Sequence, residues 1–151
     1  MKIFLDTNIV MEYFSERKNF ENVYTILKAA KVKSLDAVVS TFTVDTLVYL
    51  MGIALKEKGL HEPEKRKEIR AWLNAFFEYV DMTDISRESA LNGLNDIHFN
   101  DIEDGLQYYC ALENNCDCLI TINGKHFKKA DKGLEVLDPA EFVNKYIILE
   151  D

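Results

Sequence analysis

Short apolar segments alternate with amphipathic helical patterns along most of the chain. The segments have the length and bounding polar residues of buried strands and lie at 2–5, 36–39, 78–82, 118–121 and 134–137. Helical patterns separate them at 8–15, 20–31, 43–57, 63–77, 86–95 and 101–114, and a last helix is expected to begin at Asp138-Pro139. Strands joined through helices pair in parallel and are covered on both faces. We therefore predict an α/β fold, a three-layer α/β/α sandwich around a central parallel sheet of four or five strands.

Length and composition favour a single domain spanning residues 1–151. The chain is 48% hydrophobic with two prolines, and it contains no repeat or linker. Neither a signal peptide nor the ~18-residue apolar run of a membrane helix is evident. The three cysteines have no framework spacing, which favours free thiols. These features predict a cytoplasmic location and no membrane association.

The charge is unevenly distributed. The formal net charge is -8, from 18 basic and 26 acidic residues, which argues against broad nucleic-acid binding. Residues 81–104 carry seven acids against one base, whereas residues 124–132 carry four lysines against one acid. This distribution fits a divalent cation beside a phosphate-binding segment. An ordinary acidic protein is the other interpretation that charge alone allows.

Several polar side chains should meet at the carboxyl edge of the sheet. Asp6 follows the first strand, Asp45 lies early in the helix after the second, and Asp104 lies early in the helix before the fourth. Thr121 and Asn123 follow the fourth strand directly. Functional groups of parallel sheets gather at this edge, and converging carboxylates repel one another unless a cation neutralises them. Oxygen ligands without histidine favour Mg²⁺ or Mn²⁺, which can orient and activate a water molecule.

Each of these residues also has a purely structural explanation. Asp6 can cap the helix that follows it, and Asp45 can complement a helix dipole. Asp101 and Asp104 have the spacing of a capping box, with Asp101 as the N-cap. The segment 121–123 can be a simple turn.

Four sequence blocks, taken in order, resemble the PIN-domain nucleases, which include the VapC-type toxins of toxin–antitoxin pairs. The blocks are "IFLDTNIVMEYF", "VVSTFTVDTLVYL", "DIEDGLQYYCALENNCDCLITINGKHF" and "LEVLDPAEFV". The resemblance implies a metal-dependent endoribonuclease that acts on single-stranded RNA. In it, Asp6, Asp45 and Asp104 would bind Mg²⁺ or Mn²⁺, and Thr121 and Asn123 would complete the catalytic site.

The resemblance also implies supporting residues and partners. Asn8 would hydrogen-bond the first acid, and Asp101 would lie just outside the metal ligands. A lysine-rich segment would contact substrate phosphate through Lys125, His126 and Lys128, with Lys129 beside them. An antitoxin and a second copy in a homodimer are the protein partners that the family suggests.

Three positions depart from the family pattern. Asp45 stands where a glutamate is more usual, and Asn123 and His126 stand where acids are often found. Asn123, His126 and the net acidity keep a second interpretation open, a PIN-like module that binds RNA or protein with weakened catalysis. A third, phosphoryl transfer through an aspartyl-phosphate, lacks the Asp-x-Asp pattern because Asn8 occupies its second place.

Overall fold

A five-stranded parallel sheet forms the centre of the protein. The structure is a computed structural model that describes residues 1–130 and 132–147. The strands are β1 (Lys2–Leu5), β2 (Asp36–Ser40), β3 (Asp81–Thr83), β4 (Cys118–Ile120) and β5 (Glu135–Leu137). The helices are α1 (Thr7–Phe14), α2 (Phe20–Lys31), α3 (Thr41–Glu57), α4 (Glu64–Phe76), α5 (Arg87–Asn95), α6 (Ile102–Glu113) and α7 (Pro139–Phe142). A 3₁₀ turn at Gly124–Phe127 follows β4, and a π-helical turn at Val143–Ile147 follows α7.

The direction in which the chain adds strands to the sheet changes at β1. Across the sheet the order is β3-β2-β1-β4-β5, and every neighbouring pair is parallel. The chain builds outward from β1 to β3 and then returns to add β4 on the other side of β1. Leu5 of β1 is aligned with Ile120 of β4, so Asp6 and Thr121 leave the sheet side by side. Such a switch point opens a crevice at the carboxyl ends of the strands, where α/β proteins bind ligands.

Strands β1, β2, β4 and β5 contribute side chains to two separate cores. Ile3 and Leu5 of β1 belong to the larger core, which also contains residues of α1 to α4 and of α7. Phe4, between them, packs in the smaller core with Tyr108 of α6. Alternation of side chains along a strand produces this division. The predicted α/β/α sandwich is confirmed, with five strands.

The third strand begins later than predicted. The sequence pattern placed it at 78–82, but β3 covers Asp81–Thr83. Tyr79 and Val80 instead form a turn after α4, in which both backbone amides donate to the carbonyl oxygen of Phe76. Val80 is buried in the larger core. Tyr79 and Val80 therefore have the apolar composition of a short strand although they form a turn.

Two glycines set the distance between α5 and α6. A Cβ atom on Gly105 would lie 2.6 Å from the carbonyl oxygen of Gly93, and one on Gly93 would lie 2.8 Å from that of Gly105. Any side chain at either position would overlap backbone, so the helices cross in direct backbone contact. This contact positions the first turn of α6. Among the described residues, the helices are all too short or too polar to cross a membrane.

Candidate active site

Asp6 lies buried at the switch point, with 4% of its surface exposed. It is the N-cap of α1, since its Oδ1 accepts a hydrogen bond of 2.8 Å from the backbone amide of Thr7. Its Oδ2 accepts one of 2.8 Å from the Thr121 hydroxyl, across the junction between β1 and β4. The capping function and the site function are therefore combined in one carboxylate.

Asn8 joins the same junction from the first turn of α1. Its amide nitrogen donates to Asp6 Oδ2 at 3.3 Å and to Thr121 Oγ1 at 3.2 Å. Its amide oxygen accepts from the backbone amide of Ile122 at 3.3 Å. The structure thus brings Asn8 and Thr121 to Asp6, and the three side chains hold one another in place.

Asp104 is the second carboxylate of the site and lies in the first turn of α6. Burial, together with the nearby negative charge of Asp104, raises the pKa of Asp6 to about 6 against several opposing hydrogen bonds. Burial also raises the pKa of Asp104, and Asp101 adds to this rise. The ring Nδ1 of His126, 3.1 Å from Asp104 Oδ2, acts in the opposite direction. Asp6 and Asp104 therefore form a pair of like charges in a poorly solvated place.

Glu103 is an acidic neighbour that the sequence analysis did not identify. Its Oε1 accepts a hydrogen bond of 3.4 Å from the Thr7 hydroxyl. Burial raises the pKa of Glu103, and the charges of Asp6 and Asp101 raise it further. The available signal was its position beside Asp104 in "DIED", where two adjacent acids begin the same helix.

Asp101 caps α6, but without the predicted capping box. It is the N-cap, and its Oδ1 accepts from the backbone amide of Glu103 at 2.9 Å. Asp104, which the box would place opposite, contacts His126 instead. Asp101 is exposed and lines a cleft beside the acid pair.

The structure does not bring Asp45 to Asp6 and Asp104. The helix α3 begins at Thr41, and its buried face carries Thr43 and Leu47. Asp45 follows Thr43 by two positions, about 200° around an α-helix, so it lies on the opposite, exposed side. Within 1–130 and 132–147 its carboxylate has no hydrogen bond or salt bridge.

A buried network of neutral groups occupies the position expected for the third carboxylate. The Thr43 hydroxyl is bonded to the hydroxyls of Thr7 and Ser40, both at 2.9 Å. The Gln107 amide nitrogen donates to Thr43 at 2.8 Å and to Thr7 at 3.0 Å, and its oxygen accepts from Ser40 at 2.8 Å. Gln107 also reaches Asp6 Oδ1 at 3.4 Å. Sequence reasoning missed Gln107, although a polar residue on the apolar face of the 101–114 pattern was a usable signal.

The segment after β4 forms the outer wall of the site. Asn123 is half-buried at the start of the 3₁₀ turn, where its backbone amide donates to Thr121 Oγ1 at 3.1 Å. Lys125, His126 and Lys128 line a cleft of about 450 Å³ together with Asp101. The structure therefore brings the predicted phosphate-contacting residues next to the acid pair.

The donor chemistry of the pair fits Mg²⁺ or Mn²⁺. Among the described residues, no group of three or more His, Cys, Asp or Glu side chains has the geometry to hold a metal ion. Magnesium, however, is usually bound through one or two carboxylates together with waters and substrate phosphates. Asp6 and Asp104 supply two such carboxylates, and burial, the main cause of their raised pKa values, disfavours a charge that a bound cation would stabilise.

Fold and site together define a class of α/β/α proteins with an acidic site at the switch point of a parallel sheet. The family described as PIN domain matches residues 2–125, and the chain belongs to that family. Membership confirms the resemblance identified in the sequence.

Individual relatives extend the comparison over almost the whole chain. The chain is 28% identical over 147 residues to Ribonuclease VapC1 of Aquifex aeolicus (strain VF5), covering 96% of this chain and 95% of the relative. Its fold is similar to a VapBC2 structure from Rickettsia felis bound to a promoter DNA fragment (TM-score 0.66, 20% identity, 91% of this chain and 98% of that one). It is also similar to a toxin-antitoxin complex from Klebsiella pneumoniae (TM-score 0.62, 21% identity, 91% and 97%).

Proposed function

We propose that this protein is a metal-dependent endoribonuclease that hydrolyses phosphodiester bonds of single-stranded RNA. The observation that carries the proposal is the buried pair of Asp6 and Asp104 at the switch point of the sheet. Similarity to Ribonuclease VapC1 supports RNA as the substrate. Lysines beside the pair provide positive charge for a phosphate backbone in a protein that is otherwise acidic.

Asp6 and Asp104 would hold Mg²⁺ or Mn²⁺ in this proposal. A bound ion of this kind supplies an activated water and stabilises charge on the phosphate. Thr121 and Asn8 fix the orientation of the Asp6 carboxylate through three of their hydrogen bonds. His126 does the same for Asp104 from the outer wall.

We further propose that the protein is the toxin of a toxin–antitoxin pair and acts in the cytoplasm. The solved toxin-antitoxin structures with a similar fold support an antitoxin as the protein partner. The homodimer stays a prediction from the family resemblance.

Cleavage of a labelled single-stranded RNA tests the enzymatic proposal. We expect cleavage with Mg²⁺ or Mn²⁺, none with excess chelator, and a loss of at least about 100-fold in Asp6→Asn, since metal-ion catalysis supplies several kcal/mol. Asp36→Asn is the matched control, because Asp36 is exposed at the opposite edge of the sheet. Cleavage that survives chelator, or equal rates for Asp6→Asn and wild type, would contradict the proposal.

A second candidate is a PIN-like interaction module with weakened catalysis. The exposed position of Asp45 favours it, because one of the three predicted ligands lies away from the pair. Calorimetry separates the candidates. No measurable cation binding, together with RNA binding that chelator does not change, would favour the module over the enzyme.

A further inference from the structure

A second cleft adjoins the one beside the acid pair and runs along the α5–α6 connection. The first cleft, of about 450 Å³, is lined by His126, which contacts Asp104. The second, of about 500 Å³, extends to Tyr109 of α6. His98 and Lys129 line both clefts. Because the two clefts share these residues, they form one groove, and one end of it lies at His126, the partner of Asp104.

The groove gathers positive charge from a chain with net charge -8. Its lysines are Lys125, Lys128, Lys129 and Lys132. The carboxylates that line it already have donors. Asp101 accepts from the Glu103 backbone, and Asp96 accepts from His98 and Tyr109. The lysines, by contrast, form no salt bridge among the described residues.

Asp96 holds His98 in a fixed orientation within the groove. Its Oδ1 accepts from the His98 backbone amide at 2.9 Å and lies 2.8 Å from the ring Nδ1, while its Oδ2 accepts from the Tyr109 hydroxyl at 2.9 Å. Partial burial raises the pKa of Asp96, but these hydrogen bonds outweigh burial and lower it. With Nδ1 on a carboxylate, Nε2 is the ring nitrogen left for another partner, and in the protonated imidazole it carries an N–H that can donate to a phosphate oxygen. The His98 side chain is 59% exposed, so Nε2 is accessible to a ligand.

We propose that His98 and Lys129 form a phosphate subsite for a nucleotide that neighbours the scissile bond. The ligand is the phosphodiester backbone of single-stranded RNA lying along the groove. Grooves that bind single strands combine basic side chains along the backbone path with nearby aromatic rings, and Tyr109 supplies such a ring here. This inference rests on the proposed ribonuclease function. It adds the path along which the bound RNA strand extends away from the acid pair.

Two substrates of different size test the subsite. A long single-stranded RNA occupies the groove, whereas bis(p-nitrophenyl) phosphate is a diester without flanking nucleotides. For His98→Ala/Lys129→Ala we expect KM for the RNA to rise by about tenfold or more, since the variant lacks two charge-assisted hydrogen bonds to phosphate. The kcat for RNA and the hydrolysis of the small diester should stay within about twofold of wild type.

A matched control removes the same residue types elsewhere. His61 and Lys58 are exposed near the end of α3, away from the groove. His61→Ala/Lys58→Ala should leave KM for the RNA unchanged. An equal rise of KM in both double variants would mean a general charge effect and would overturn the subsite. So would an unchanged KM in the His98/Lys129 variant.

Binding without turnover separates this inference from the proposed function. Anisotropy of a labelled single-stranded RNA in chelator should show about tenfold weaker binding for the His98/Lys129 variant. The logarithmic salt dependence of binding should be shallower by about 0.7 for each phosphate that the variant no longer neutralises. If wild type cleaves neither substrate but this difference appears, the proposed function fails and the subsite stands. If wild type cleaves RNA and the difference is absent in both assays, the subsite fails alone.

Discussion

The two sides of the sheet's carboxyl edge differ in charge. On the side of β1 and β4, Asp6 lies near Asp104, and burial together with the charge of Asp104 raises the pKa of the Asp6 carboxyl group to about 6. On the side of β2, Ser40 and Thr43 meet Gln107 in a network of neutral groups. Both sides are hydrogen-bonded, but the buried carboxylates of this edge, Asp6 and Asp104, lie on the first side.

This difference in charge follows from the topology of the sheet and from the way each helix is rotated about its own axis. The strand order reverses between β1 and β4, which opens a crevice there. Beside β2 the helix α3 packs on α1, and the Thr7 and Thr43 hydroxyls meet in that contact. A position at the correct edge is therefore insufficient for a site residue. The helix must also turn that residue toward the crevice.

Replacing a single aspartate by asparagine should give the largest effect on RNA cleavage. Asp104→Asn should lower RNA cleavage by at least about 100-fold, because it removes one of the two proposed ion-binding carboxylates. Asp45→Asn should cleave at a rate within about twofold of wild type, because its side chain is exposed on the far side of α3. The two variants are measured under identical metal concentrations. A large loss in Asp45→Asn would show that the β2 side carries catalytic charge after all.

The sequence predicted the fold well because its signals are local. Apolar segments and amphipathic periods are properties of a few neighbouring residues, and β1 appears at its predicted bounds. The third strand was misplaced since Tyr79 and Val80 are apolar for a tertiary reason, the burial of a turn after α4. Only the packed structure distinguishes that turn from a strand.

The sequence predicted only part of the site. It did not predict which side of each helix faces the crevice. Asp6 and Thr121 directly follow strands, so their place at the edge of the sheet could be predicted without knowing how any helix is rotated about its axis. The predicted helix began at residue 43, whereas α3 begins at Thr41 with Ser40 as its cap. In the observed helix Thr43 is buried and Asp45 is exposed. Glu103 could not be separated from Asp104 because its direction depends on how α6 packs against α5.

The pH dependence of stability should also differ between the two sides. In metal-free protein, the Asp6 pKa is about 6 when folded against 3.8 for a free side chain. Folding therefore favours protonated Asp6, and this stabilisation is complete below pH 3.8 and is lost as the pH rises through about 6. The shift corresponds to on the order of 3 kcal/mol.

Urea unfolding in chelator at several pH values measures this effect by difference. The unfolding free energy of wild type minus that of Asp6→Asn should fall by on the order of 3 kcal/mol between pH values below and above that range. Glu103 and Asp104 titrate in the same direction but remain in both proteins. Asp45→Asn is the control and should keep the wild-type profile. If the difference in unfolding free energy between wild type and Asp6→Asn is constant with pH, the folded protein does not disfavour the charged form of Asp6.

The smallest expected effect comes from the neutral side. Gln107→Leu removes the amide that bonds Ser40, Thr43 and Thr7, and we expect the unfolding free energy to fall by about 1–3 kcal/mol because buried hydroxyls lose partners. Its bond to Asp6 is long, at 3.4 Å, so RNA cleavage should fall by no more than about tenfold.

A triple variant separates the loss of hydrogen-bond partners from the loss of packing. Adding Ser40→Ala and Thr43→Val to Gln107→Leu removes most of the unpaired hydroxyls, and replacement of both partners of a buried hydrogen bond by apolar groups is nearly neutral. The triple variant should therefore recover part of the stability that the single variant loses. If Gln107→Leu instead keeps full stability but loses as much activity as Asp104→Asn, the network acts in catalysis. The division of the edge into a charged side and a supporting side would then be wrong.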